Sequence, residues 1–164
     1  MGAYNLPNVL AAVAVGNHFG VAENLIKKGI ESYRPSNSRS QLLEKDGNKI
    51  ILDAYNANPG SMKAAIENFA SMDGDNKVLM LGAMAELGTD SLLEHELLIE
   101  LIHQYKWKEV VLVGGDFMNI PHSYTRLANS EEAKKWYKHQ NLTGASVLIK
   151  GSRSSRMEEV ISAD

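Results

Sequence analysis

Hydrophobic positions along this chain change period several times, and the changes mark out strands alternating with helices. Val78-Leu79-Met80-Leu81 and Val110-Val111-Leu112-Val113 are unbroken apolar runs, the pattern of strands buried on both faces. Between them the spacing turns helical. Met62, Ala65, Ile66 and Phe69 fall at i, i+3, i+4 and i+7, and Leu97, Leu98, Leu101, Ile102 and Tyr105 form a second stripe. Core packing accounts for both stripes. The pattern predicts helix over 61–72, strand over 78–81, helix over 91–105, strand over 110–113, helix over 130–139, strand over 147–149 and a short helix over 157–161. Residues 124–127 carry a weak strand signal. Strand alternating with helix implies an α/β fold, with a mainly parallel sheet, flanking helices and right-handed crossovers.

Two further segments precede this alternation. Residues 41–44 and 49–53 are apolar runs on either side of Asp46-Gly47, a strong hairpin signal, so a hairpin strand is expected to open the sheet. Upstream, residues 5–30 are helical and rich in small residues. Leu6, Val9, Leu10 and Val13 share a face, Gly16 and Gly20 are expected to break it, and helix resumes over 21–30. Two short helices cannot bury a core of their own. Residues 1–33 are therefore expected to close a preceding domain of a longer protein, and 34–164 to form the sheet domain, with the Ser/Asn-rich stretch 36–40 as connector.

Composition narrows the class. The chain has 164 residues, 44% of them hydrophobic, enough for one good core. Its 17 basic and 20 acidic residues leave a net charge of −3, with no Lys/Arg block, so nucleic acid is not expected as a partner. Cysteine is absent, which excludes disulfides, thiolate metal sites and a cysteine nucleophile. No apolar stretch is long enough to span a bilayer, and no basic n-region followed by an apolar h-region opens the given sequence; membrane insertion is not expected, and a cytoplasmic location is.

Candidate chemistry gathers where the strands end. In an open α/β sheet, ligands bind outside the carboxyl ends of the strands. The predicted strand ends carry Asp53, Tyr55, Asn56 and Asn58, then Glu86, then Asp116, then Lys150, Ser152 and Arg153. Asp53 could accept from a ribose hydroxyl or close a local turn. Asn58 before Pro59 could cap the next helix as well as touch a ligand. Lys150-Gly151-Ser152-Arg153 reads as an anion clamp, in which glycine permits close backbone approach and arginine grips a carboxylate or phosphate, or as a charged turn. Arg39 in the connector could reach a phosphate on a neighbouring domain or simply face solvent. Asn5 and Asn8 lie on one helical face. His95 has no paired carboxylate or nucleophile in the sequence and is expected to face the surface or pack a helix rather than do acid–base work. Metal-ligand spacing, a G-x-G-x-x-G and a P-loop are all missing.

These residues resemble a family, the Mur ligases of peptidoglycan synthesis, over nearly the whole chain. Gly2-Ala3-Tyr4-Asn5-Leu6-Pro7-Asn8 is similar to the Asn-x-x-Asn helix closing that family's central ATPase domain. Asp53-Ala54-Tyr55-Asn56-Ala57-Asn58-Pro59, Leu81-Gly82-Ala83-Met84-Ala85-Glu86-Leu87-Gly88 with His95, and Lys150-Gly151-Ser152-Arg153 with Arg156-Met157-Glu158 follow in family order. The resemblance implies a Rossmann-like C-terminal domain. It also implies ATP-dependent joining of D-alanyl-D-alanine to a UDP-N-acetylmuramoyl-tripeptide through an acyl phosphate, with ATP and Mg2+ used by the full-length enzyme, in which the upstream domains of the same chain are partners, and with neither held by this chain alone. By position, Asn5 and Asn8 would face adenine, and Arg39 the terminal phosphate as the catalytic residue. Asp53 would face the ribose, Tyr55, Asn56 and Asn58 would shape the same wall, and Lys150, Ser152 and Arg153 would hold the dipeptide. Ala83 stands where the pattern has an Asp. With the P-loop, activating lysine and magnesium ligands expected upstream, the chain alone should hold no metal and turn over no ATP.

Two other readings compete. A non-catalytic Rossmann-like module that binds a nucleotide or small anion is the alternative, and it predicts binding without an ATPase domain. A receiver-like regulatory domain ranks last, because Asp53 lacks an adjacent acidic cluster.

Overall fold

The computed structural model describes residues 5–34 and 38–163. They fall into two compact units, Met1–Pro35 and Ser36–Asp164. The first contains α1 (Leu6–His18) and α2 (Glu23–Ser32), neither with a buried residue. Helix α1 runs straight through Gly16, contrary to the expected break there. A Cβ at Gly16 would stand 2.7 Å from Ile26 Cδ1, so the missing side chain is what lets α2 pack against α1. The turn comes at Gly20, whose φ of +68° suits glycine.

The second unit is a six-stranded sheet, with strands β1 (Gln41–Lys45), β2 (Asn48–Asp53), β3 (Lys77–Gly82), β4 (Glu109–Val113), β5 (Thr125–Leu127) and β6 (Ser146–Lys150) in the spatial order β1-β2-β6-β3-β4-β5. Only β1 and β2 pair antiparallel, through a turn in which Asp46 (φ +52°) and Gly47 (φ +72°) are both left-handed, the geometry that a two-residue hairpin needs. Every other pairing is parallel.

Helices α3 (Pro59–Ser71), α4 (Ser91–His103) and α5 (Ser130–Gln140) connect the strands. Successive strand residues feed opposite faces. Leu79, Leu81, Val110, Leu112 and Leu148 pack with Met62, Ile66 and Phe69 of α3 and with α4. Val78, Met80, Val111, Val113, Val147 and Ile149 pack with Ala133 and Tyr137 of α5 and with Met157 and Val160. The unbroken apolar runs are thus two interleaved core faces, and a fully buried side chain such as Ile66 or Phe69 contributes about 2 kcal/mol by transfer from water.

The stripe on α4 is rotated from the expected one. His95, Leu98, Ile99 and Ile102 face inward, while Leu97 is 49% exposed. The histidine occupies an inward position and shifts the buried face with it. Residues 157–161 form a 3₁₀ turn rather than an α-helix, following Arg156 at a left-handed φ of +49°. Most consequential for the site, β6, the last strand in the chain, lies between β2 and β3. The carboxyl ends of β2, β6 and β3 are therefore neighbours.

Candidate functional site

Asp53 and Lys150 are register partners at the ends of β2 and β6. The Lys150 ammonium donates to Asp53 Oδ2 at 2.6 Å and to the Asn56 carbonyl at 3.2 Å. Its side chain is 2% exposed, against 20% for Asp53. The other carboxylate oxygen, Oδ1, accepts from the Ser40 backbone N–H at 3.0 Å, a contact no pattern in the sequence announces. Buried charge requires such pairing and hydrogen bonding. Lys150 is thus turned into the protein toward Asp53, away from open solvent.

Beyond Asp53 the chain presents Tyr55, which is 43% exposed. The Arg39 guanidinium carbon lies 3.8 Å from the ring centroid, and that of Arg153 lies 5.9 Å from it. Three candidates from the connector, the β2 end and the β6 end therefore meet on one ring, a cation–π arrangement worth about 0.5–1 kcal/mol at an exposed position. Arg153 also pairs with Glu158 at 3.3 Å. Asn56 is exposed, with Oδ1 accepting from the Ala57 N–H. Asn58 caps α3: its Oδ1 accepts from the Ser61 N–H at 2.8 Å while the Ser61 hydroxyl accepts from the Asn58 N–H at 3.1 Å, and Pro59 stands in the first turn. Of the two readings of Asn58, the cap is what the fold shows.

The ends of β3, β4 and β6 are built differently. Ser152 is buried, and its hydroxyl and N–H both donate to the Ala83 carbonyl, at 2.6 and 3.2 Å. Ala83 N–H in turn donates to the Val113 carbonyl. Gly82 and Gly151 let the segment 151–157 lie directly on the sheet end: a Cβ on Gly82 would meet Ser155 Oγ at 2.5 Å and Met157 Cγ at 2.6 Å. His95 fixes the adjoining loop. The Met84 N–H donates to its Nε2 at 3.0 Å, so Nδ1 carries the proton and donates to the Ser91 carbonyl at 2.6 Å. Both ring nitrogens are used, and the ring packs edge-on against Phe117. Of the two expected roles, surface or packing, His95 takes the buried packing one.

Between these ends opens a cleft of about 360 Å³, lined among others by Ala83, Met84, Gly115, Asn129, Ser152 and Ser154. Gly115 and Asn129 were not singled out in the sequence, although Gly114-Gly115 directly after an apolar strand was a usable signal. Asp116 follows Gly115 of this lining in the chain. Hydrogen bonds from the Ser91 hydroxyl and then the Asn119 amide hold its carboxyl below the ordinary 3.8, against partial desolvation. A larger cavity of about 500 Å³, lined by Lys45, Asn48 and Tyr137, lies at the opposite end of the sheet, the end that ligands of such folds do not use. In the first unit Asn8 Nδ2 donates to Asn5 Oδ1 at 3.2 Å, so the two share one exposed face of α1. Among the described residues no His, Asp or Glu group is arranged to hold a metal ion, and no helix is long and apolar enough to cross a membrane.

A parallel sheet with a hairpin edge and a polar ligand end fits the nucleotide-handling α/β class, and the particular family follows from comparison: residues 38–153 match the model for the Mur ligase, glutamate ligase domain, and the chain belongs to the Mur ligase family. Over 98% of its length the chain is 34% identical to the UDP-N-acetylmuramoyl-tripeptide--D-alanyl-D-alanine ligase of Bacillus subtilis, of which it spans 38%. A crystal structure of MurF from Acinetobacter baumannii covers 98% of the chain with a TM-score of 0.83 at 30% identity, over 37% of that protein. MurF from Thermotoga maritima in complex with ADP covers the same share with a TM-score of 0.81 at 26% identity, over 38% of its own chain. The chain thus spans well under half the length of these relatives.

Proposed function

We propose that this chain serves as the C-terminal domain of an ATP-dependent ligase that joins D-alanyl-D-alanine to a UDP-N-acetylmuramoyl-tripeptide, with α1 and α2 belonging to the ATPase domain before it. The observation that carries this reading is the meeting of Arg39, Tyr55 and Arg153 beside Asp53 at one strand end. That donor set suits a nucleotide: a carboxylate for ribose hydroxyls and a guanidinium for phosphate oxygens. In the reaction, the tripeptide carboxylate attacks the terminal phosphoryl group of ATP to give an acyl phosphate and ADP. The dipeptide amine then attacks the acyl carbon, and phosphate leaves as the amide forms.

Arg39 is assigned to the charge that develops on the transferring phosphoryl group, Asp53 to the ribose, and Tyr55, Asn56 and Asn58 to the same wall. Asn5 and Asn8 are assigned to adenine. Ser152, which lines the cleft at the β3, β4 and β6 ends, and Arg153 are assigned to the dipeptide side, whereas Lys150, buried against Asp53, is not. Magnesium finds no ligand group among the described residues, and its ligands are assigned to the upstream domains. Closure of this domain on bound ATP would supply orientation and charge stabilisation.

The test is ADP release by the full-length protein with ATP, magnesium and UDP-muramoyl-tripeptide, with and without D-alanyl-D-alanine. Release is expected to depend on the dipeptide, and Arg39→Ala to lower it by about 100-fold or more with the melting temperature unchanged. Dipeptide-independent behaviour would leave the alternative, a nucleotide- or anion-binding module. Near-normal turnover in Arg39→Ala would remove that residue from the phosphate.

A further inference from the structure

We propose that Lys150 acts as a positioning residue for the nucleotide half of the site, through Asp53 and the backbone at Asn56, and does not itself touch the dipeptide. This rests on the reading above that Asp53 faces the nucleotide. A lysine side chain that is 2% exposed offers its ammonium to nothing outside the protein. Of its three donor positions two are filled, by Asp53 Oδ2 and by the Asn56 carbonyl. The ammonium is a compact point charge, suited to bracing two acceptors at once.

What Lys150 holds is more informative than what it lacks. Asp53 is gripped from both sides, Oδ1 by the Ser40 N–H and Oδ2 by Lys150, yet keeps a fifth of its side chain exposed. Each carboxylate oxygen retains a lone pair, so the clamp fixes the direction of the carboxylate without exhausting it. The second bond, to the Asn56 carbonyl, ties down the turn that carries Tyr55, the ring on which Arg39 lies. One buried cation therefore sets both the proposed ribose acceptor and the platform under the proposed phosphate ligand. Arg153, two residues past Gly151 and with its side chain 69% exposed, remains for the other substrate, while buried Ser152 shapes the cleft through its bonds to the Ala83 carbonyl.

The experiment compares KM for ATP, KM for D-alanyl-D-alanine and kcat in the full-length enzyme for wild type, Lys150→Met, Lys150→Arg, Asp53→Asn and the double variant Lys150→Met/Asp53→Asn. Lys150→Met is expected to raise KM for ATP by about tenfold, the equivalent of one charge-assisted hydrogen bond, and to leave KM for the dipeptide within about twofold. In the Asp53→Asn background the same change should add about twofold or less, because the two act as a unit. Lys150→Arg keeps the charge and should give a smaller rise in KM for ATP; it decides by the same split if Lys150→Met does not fold. A rise in KM for the dipeptide with KM for ATP unchanged overturns the proposal, as does full additivity with Asp53→Asn. If Asp53→Asn itself leaves KM for ATP unaltered, the nucleotide reading of Asp53 fails instead.

Discussion

The β2 side of the ligand end and its β3–β4 side lie next to each other and are organised by opposite means. At β2 the shape is set by charge: a buried ammonium, a clamped carboxylate and two guanidiniums near one ring. At β3 and β4 it is set by the absence of side chains. Gly82 and Gly151 approach each other and leave room for the Ser155 and Met157 side chains, Gly115 leaves room for the Ala83 methyl, and hydrogen bonds from Ser152 and Ala83 bind the segments together. The exposed guanidiniums of Arg39 and Arg153 can reorient when a ligand arrives, whereas the clamped carboxylate of Asp53 and the close-packed end at β3 and β4 cannot. The adaptable groups therefore stand where phosphate is proposed, and fixed ones where ribose and a small dipeptide are.

The strongest way to break this contrast is to put a side chain into the rigid end. In Gly151→Ala the new Cβ would stand 2.8 Å from Met157 Cγ and 3.1 Å from Gly82 Cα, and closer still to Ser155 Oγ. The backbone neighbour cannot swing aside. Overpacking of this kind costs about 2–3 kcal/mol, so thermal unfolding should show a melting temperature lower by roughly 5–10 °C. An unchanged melting temperature would mean that the segment 151–157 is not seated as tightly as described.

A smaller loss is expected on the charged side when a neutral group is removed. Asn58→Ala deletes the cap of α3, and the Ser61 N–H loses its acceptor while the Ser61 hydroxyl keeps the Asn58 N–H. The cost should be about 1 kcal/mol, or roughly 2–4 °C in the same measurement. Asn58→Asp, which can still cap, should recover most of it. If Asn58→Ala instead left stability unaltered while raising KM for ATP in the full-length enzyme, the ligand role would outweigh the cap.

Much of the fold was legible because its signals are local. The Asp-Gly hairpin, the capped start of α3 and the double-faced strands each occupy fewer than ten consecutive residues and need no knowledge of neighbours. What was not legible depends on strand order. Nothing in residues 146–150 announces that β6 inserts between β2 and β3, and without that insertion Lys150 cannot be matched to Asp53. Gly16 looked like a breaker because its partner, Ile26, lies on another helix. Leu97 looked buried because a histidine is not counted as apolar, yet His95 takes the inward position. At the site, the residue types at the strand ends were readable, but not which of them face one another: Arg39 over Tyr55 joins two segments through space.

The finest test concerns Asp116, the carboxylate that follows Gly115 of the rigid end. Asp116 is held below its ordinary value of 3.8 by the Ser91 hydroxyl and the Asn119 amide, groups that favour the ionised form. Near that pH the folded chain binds fewer protons than the unfolded one, so stability rises with pH. The contribution is complete above about pH 5 and is lost as pH falls below 3.8 through the lowered folded value. Asp116→Asn has no such proton to lose. Urea midpoints for the two proteins, followed from about pH 5 to about pH 2.5, should converge at the acid end as the wild-type advantage disappears. Parallel curves would show that Asp116 does not anchor Ser91, and the β4 rim would then be held by backbone contacts alone, which would make the division between a charged and an uncharged end sharper than described.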